Sequence, residues 1–131
     1  MGMTRTTTVK IAGGLAVVAF GVLSLVPIEL RPHTGFSRLL EHIAAYAMAG
    51  GLLTLGYYKR NQPFVVVLSL SVFAATLEIA QVWMPGRHPR VMDFAASSAG
   101  SLIGSALVWI GLRAISRRTP DAVADKEREK I

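Results

Sequence analysis

The chain contains no cysteine. That excludes disulfide staples, thiolate metal sites and cysteine nucleophiles, and it carries no information about compartment. Also missing is any basic stripe interleaved with aromatics, or another nucleic-acid motif. The net charge of +6 therefore does not point to DNA or RNA. No zinc-type ligand spacing occurs, and no serine lies in a nucleophile elbow. No small-x-small cleavage pattern follows the first apolar run, which is expected to remain as a helix rather than leave as a signal peptide. Charge itself is scarce where it matters most. Asp, Glu, Lys and Arg make up 17% of the 131 residues and are gathered at the ends and in short breaks. Apolar residues reach 52%, and the mean hydropathy is +0.46. A soluble domain of this length would need polar residues spread along it to clothe its surface.

What remains is a set of apolar runs. Residues 11–28 are 18 residues without a charge, long enough to span a bilayer, with Pro27 near the end, where a lost backbone bond costs least. Glu29-Leu30-Arg31-Pro32-His33-Thr34-Gly35 reads as a loop. A second run covers 39–58, with Glu41 and His42 near its start, and Lys59-Arg60-Asn61-Gln62 follows as a tight polar turn. Pro63 suits the first turn of a third helix, which reads to about Met84 and carries Glu78 and Gln81. Pro85-Gly86-Arg87-His88-Pro89-Arg90 breaks the chain, and a fourth run covers 93–112. The pattern predicts an all-α protein: a four-helix transmembrane unit over 1–112, then a polar, basic tail over 113–131 with a frayed helix at 125–130.

Orientation follows from the cations. Arg5, Lys10, Lys59, Arg60, Arg113, Arg117, Arg118, Lys126, Arg128 and Lys130 fall on one side of this topology, and Arg31, Arg38, Arg87 and Arg90 on the other. Ten against four predicts that both termini are cytoplasmic and that the first and third loops face outward.

Some polar residues do not suit a lipid environment. A carboxylate in mid-span costs roughly 2.5–3.5 kcal/mol on insertion scales. Glu78 precedes Met84 by six residues, about 9 Å at roughly 1.5 Å per residue. Gln81 shares its face, His42 and Tyr46 share a face of the second helix, and Asp93 opens the fourth. Each has an ordinary reading. Gln81 and Tyr46 suit interhelical hydrogen bonding, Asp93 suits a helix cap, His88 and Arg90 suit a solvated loop, and Glu41 suits the interface. As a set, His42, Tyr46, Glu78, Gln81, Arg87 and Asp93 are expected at one level of the outer leaflet and form the candidate polar site. Ala96, Gly100 and Gly104 recur every four residues on the fourth helix, a stripe that lets helix backbones approach closely.

The order of these pieces resembles a known family. Ser24-Leu25-Val26-Pro27 ends the first helix, and His42 and Tyr46 open the second. Glu78-x-x-Gln81, Pro85-Gly86-Arg87, and Asp93 followed by Gly100 and Gly104 complete the series. Over roughly Ser24 to Gly104 the chain is similar to the VanZ-like family of small bacterial membrane proteins, named for an accessory protein that lowers susceptibility to teicoplanin. It departs in two places: Arg38-Leu39 stands where the family usually has Asp-Lys, and Ser97 where it has Asn. The resemblance implies an inner-membrane protein linked to the cell envelope and to glycopeptide resistance, and it implies no particular chemistry.

Three functions are open at this stage. One is binding of an amphipathic ligand at the outer face, a polyprenyl-phosphate or lipid-linked glycan, with Arg87 on a phosphate and Glu78, Gln81 and His42 orienting polar groups. A second is an enzyme using His42 with carboxylates as acid and base, or His42, Glu78 and Asp93 around a divalent metal. The third is a scaffold whose polar cluster is interhelical glue. A transporter is disfavoured because neither an inverted repeat nor a broken central span is visible. Neither a cofactor nor the oligomeric state can be read from any motif, and both stay open.

Overall fold

A computed structural model describes residues 2–26, 29, 35–57, 63–86 and 88–130, with side chains at 2–6 and 119–123 left aside. Four helices follow in order: α1 Gly2–Leu25, α2 Arg38–Gly56, α3 Pro63–Gln81 and α4 Val91–Glu129. No strand occurs among the described residues. All four contain a stretch long and apolar enough to cross a membrane, beginning in α1 at Thr7 and ending in α4 at Arg118.

The boundaries differ from the sequence pattern for local reasons. α1 starts well before the apolar run, because a nucleated helix extends cheaply into flanking polar residues. It stops at Leu25 because the residue before Pro27 is disfavoured in helical conformation. Ser37 caps α2, its Oγ accepting from the Leu40 N–H at 3.3 Å. α3 opens on Pro63 but ends three residues earlier than Met84. There Val82, Trp83 and Met84 donate to the carbonyls of Ile79, Ala80 and Gln81 at 3.1–3.2 Å, a tightened last turn ahead of Pro85 and of Gly86 with φ +74°. The largest correction concerns the tail. α4 does not stop near Leu112 but continues to Glu129, with Pro120 inside it at the cost of one backbone hydrogen bond and with Ala, Glu, Lys and Arg as good helix formers on either side. The expected turns at 30–34 and 59–62, and Pro27 itself, lie outside the described residues.

Packing is inverted relative to a soluble domain. Large apolar side chains such as Leu15, Val18, Phe64, Val72, Leu107 and Ile110 are exposed, whereas Ser24, His42, Thr54, Gln81, Asp93, Ser97, Ser101 and Ser105 are buried. That distribution suits hydrocarbon outside and polar contacts between helices. The apolar core is small: Tyr46, Ala49, Leu70 and Ala74, with Phe20, Phe73 and Phe94 packed against it.

α2 is the hub, and α4 runs parallel to it. A Cβ on Gly100 would run into the backbone of Ile43, and one on Gly104 into the Ala47 carbonyl; one on Gly50 would lie 2.7 Å from the Ser101 carbonyl oxygen. Ser105 Oγ donates to the Gly50 carbonyl at 3.2 Å. α1 runs antiparallel, with Gly13 against Leu53 and Gly56 against Lys10. Ser24, Arg38, Gln81 and Asp93 therefore meet at one end of the bundle, and Lys10, Tyr57 and Val108 lie toward the other. At that second end, Lys10 sits over the Tyr57 ring and Arg113 over Trp109, at 4.6 and 4.2 Å, pairings suited to an interfacial belt.

Candidate functional site

Residues spaced four apart on one helix lie on one face. Arg38, His42 and Tyr46 form such a row on α2, and Asp93, Ser97, Ser101 and Ser105 form one on α4. Because the helices are parallel and close, the rows meet in register. Arg38 Nη2 lies 2.8 Å from Asp93 Oδ2, with the Asp93 side chain 1% exposed and that of Arg38 25%. The contact is coulombic rather than directional, since neither Asp93 oxygen meets hydrogen-bond geometry with any partner. One turn on, Ser97 Oγ donates to the Asp93 carbonyl at 2.8 Å and lies 3.2 Å from His42 Nδ1. The Tyr46 phenol lies within interaction distance of Ser97, and its ring stacks on His42 with centroids 6.4 Å apart.

This geometry assigns a tautomer. The single hydroxyl hydrogen of Ser97 is spent on the Asp93 carbonyl, so at the 3.2 Å contact His42 Nδ1–H donates and Ser97 Oγ accepts. Nε2 is then the acceptor nitrogen of the neutral ring. It also means Ser97 is held as a structural acceptor, not poised as a nucleophile with a histidine base.

The remaining predicted residues lie around this pair of rows. Glu78 is half-buried, and its Oε2 accepts from the backbone N–H of Arg90 at 3.0 Å. With α3 ending at Gln81, Glu78 lies three residues from the helix end, about 4.5 Å, half the depth the sequence implied. Its observed contact ties the third loop to α3 at the start of α4. Gln81 is 1% exposed; its Nε2 donates to the Ser24 carbonyl at 3.3 Å, holding the end of α1 to α3. Asp93 is not the expected cap. Arg90 occupies that position without a side-chain cap bond, and Asp93 sits in the first turn, turned to Arg38. Arg87 lies outside the described residues.

Beside this network is a cavity of 640 Å³ between α1 and α2. Phe20, Leu23 and Ser24 form one wall, Leu40, Glu41, Ala44, Ala45 and Met48 the other; Phe36 lies at the rim, and His42 and Tyr46 belong to the lining. The cavity has a structural cause. Gln81 and the close approach of Gly21 to Phe73 draw the end of α1 toward α3, while at the opposite end Gly13 and Gly56 hold α1 tightly on α2. Leu23, Leu40 and Met48 are partly exposed, so the cavity opens on the lipid-facing surface of the bundle.

The sequence-predicted set thus divides. Asp93 and Gln81 are sealed in interhelical contacts, Glu78 anchors a loop, and His42 and Tyr46 belong to both the sealed network and the cavity. Arg38 and Ser97, noted in the sequence only as departures from the family pattern, and the cavity side of Glu41 were not counted among the site residues. The signal for the first two was the four-residue spacing from His42 and Asp93. Among the described residues no three His, Asp or Glu side chains come together as a metal-ligand set, so His42, Glu78 and Asp93 do not assemble as the divalent-ion site considered above. In comparisons with known proteins, no family model, curated protein or solved structure matches the chain.

Proposed function

We propose that this is a bacterial inner-membrane protein, VanZ-like in type, which binds an amphipathic envelope component at the outward end of its bundle. The lipid-linked glycan and polyprenyl-phosphate classes are the candidates, and a link to envelope processes and glycopeptide resistance follows from the same reading. The observation that carries it is the 640 Å³ cavity, apolar along α1 and α2 and ending on His42, Tyr46 and Glu41. Its volume falls within the roughly 300–1,000 Å³ typical of small-molecule sites. Its opening between helices suits a chain arriving from the bilayer. The excess of cations at the opposite end supports cytoplasmic termini.

A scaffold function is the second reading, and the sealed Arg38–Asp93 and Ser97 contacts favour it. Enzymatic acid–base chemistry is weakened by the commitment of Ser97 and His42 to each other.

The experiment uses the absence of native cysteine. Single cysteines at Gly86 and His88 should react with a membrane-impermeant maleimide in intact cells, and one at Lys126 only after permeabilisation. In lipid nanodiscs, a photoactivatable alkyl probe should label Phe20, Leu23 and Met48 above other lipid-facing side chains. Reversed accessibility would overturn the orientation. Labelling spread evenly over exposed residues such as Leu107 and Ile110 would overturn the binding site and leave the scaffold reading.

A further inference from the structure

We infer that α4 carries a binding strip for anionic phospholipid, at the end of the bundle opposite the cavity. The first acid in α4 after Asp93 is Asp121, and the interval between them holds Arg113, Arg117 and Arg118. Helical spacing puts these cations at the end of an apolar face. Ile103, Ile110 and Arg117 are seven apart, and Leu107, Gly111, Ala114 and Arg118 follow in steps of four, three and four, so the two rows lie side by side. Every residue in them is exposed, and a Cβ on Gly111 would meet nothing within 4 Å. The level is interfacial. Ile43 faces Gly100, Ala47 faces Gly104 and Gly51 faces Val108; the same offset puts Gly56, which packs on Lys10, level with Arg113. Lys10 and Arg113 each stand over an aromatic ring, Tyr57 and Trp109, the pairing of residue types found at headgroup depth. Stacking uses the face of the Arg113 guanidinium, whose N–H donors lie in its plane.

The sequence places no carboxylate against these cations. Residues 1–12, 54–65 and 106–120, the stretches whose described parts lie at this end, contain no Asp or Glu. Insertion topology requires cations at one end of a bundle; it does not require them in line with exposed apolar side chains. A ligand that matches both halves of the strip has a phosphate for Arg113, Arg117 and Arg118 and acyl chains for Ile103, Leu107 and Ile110. A nucleic acid or a soluble acidic protein matches only the cations. A zwitterionic lipid matches the apolar rows, but its own amine offsets its phosphate. The complementarity also stops where the span does. Its last residue is Arg118, and beyond it Asp121, Asp125, Glu127 and Glu129 balance Lys126, Arg128 and Lys130.

The test compares spin-labelled phosphatidylglycerol with spin-labelled phosphatidylcholine, added to phosphatidylcholine nanodiscs that hold the full chain, and reads the motionally restricted fraction of each. Phosphatidylglycerol should be preferred about fivefold, the equivalent of one cation at the headgroup. The preference should fade in roughly 1 M salt, where charges are screened within about 3 Å. Arg117→Gln with Arg118→Gln, both at exposed positions, should lower the ratio below about twofold, and adding Arg113→Gln should bring it to about one. Lys126→Gln, Arg128→Gln and Lys130→Gln together remove as much charge from the same helix as that triple variant and should leave the preference in place. Equal association of the two lipids with the native chain overturns the strip, as does an equal loss from both sets of substitutions in protein that stays monodisperse and helical. Loss of the preference on adding soluble glycerophosphate in an amount equal to the lipid would show that a phosphate alone suffices, and would overturn the phospholipid as occupant.

Discussion

Removing Arg38 should be more damaging than removing Asp93, although the two form one pair. The Asp93 carboxylate is 1% exposed and neither oxygen has a hydrogen-bond partner, whereas the Arg38 side chain is 25% exposed. Arg38→Ala strands a charge that has no route to solvent. Breaking a buried pair in this way costs about 3–5 kcal/mol, and partial repartnering in a membrane argues for the lower end, about 3 kcal/mol. Asp93→Ala leaves a long cation that can extend toward the interface, so about 1 kcal/mol is expected. The double variant removes both charges and should fall near 2 kcal/mol, a coupling of about 2 kcal/mol. Unfolding of the three variants in bicelles, by steric trapping or denaturing-detergent titration, measures each term. Equal single effects that add to within about 0.5 kcal/mol would show that the contact contributes no pairing energy and would refute the assignment of Asp93 to this partner.

Three further outcomes follow from the geometry. Gly104→Ala should cost about 1–3 kcal/mol, because its Cβ meets the Ala47 carbonyl, whereas Gly111→Ala, with nothing near it, should stabilise by up to about 1 kcal/mol; bicelle unfolding compares them. Glu78→Ala should speed hydrogen exchange of the Arg90 amide about tenfold, while Glu78→Gln, keeping a carbonyl acceptor, should preserve most of the protection. Nitrogen-15 NMR of labelled His42 should show a protonated Nδ1 and an unprotonated Nε2 at neutral pH; the opposite tautomer would reverse the donor assigned between His42 and Ser97.

The four apolar helices were legible because lipid imposes a simple rule, one uncharged run per crossing. Their ends were less so. Apolar runs mark where a bilayer would begin and end, but helices obey backbone chemistry: Pro27 ends α1 early, a tightened turn ends α3 at Gln81, and α4 runs past Leu112 and through Pro120 to Glu129. The candidate cluster was legible as a level in the bundle and not as a set of contacts. Glu78 looked like the centre because an acid in an apolar run stands out, yet it binds the backbone of Arg90. The residue that joins His42 to Asp93 is Ser97, whose only signal in a row of serines and alanines was its four-residue spacing from Asp93. The cavity was not legible at all, since it arises from how α1 leans between α2 and α3.

That division between a sealed seam and an open cavity can be separated by two substitutions. Ser97→Ala removes the acceptor for His42 Nδ1–H and takes a partner from the Tyr46 phenol, both buried, and should cost about 1–3 kcal/mol. It leaves every cavity-lining residue in place, so alkyl-probe labelling should persist wherever the variant is folded. Ala44→Trp does the reverse. Ala44 is an exposed cavity residue, so stability should stay within about 0.5 kcal/mol while labelling is lost. A result in which Ser97→Ala abolishes labelling at unchanged stability would mean that the serine meets the ligand directly. In that case the α2–α4 seam is itself the binding site, and His42 and Tyr46 serve it from the side opposite to the one argued above.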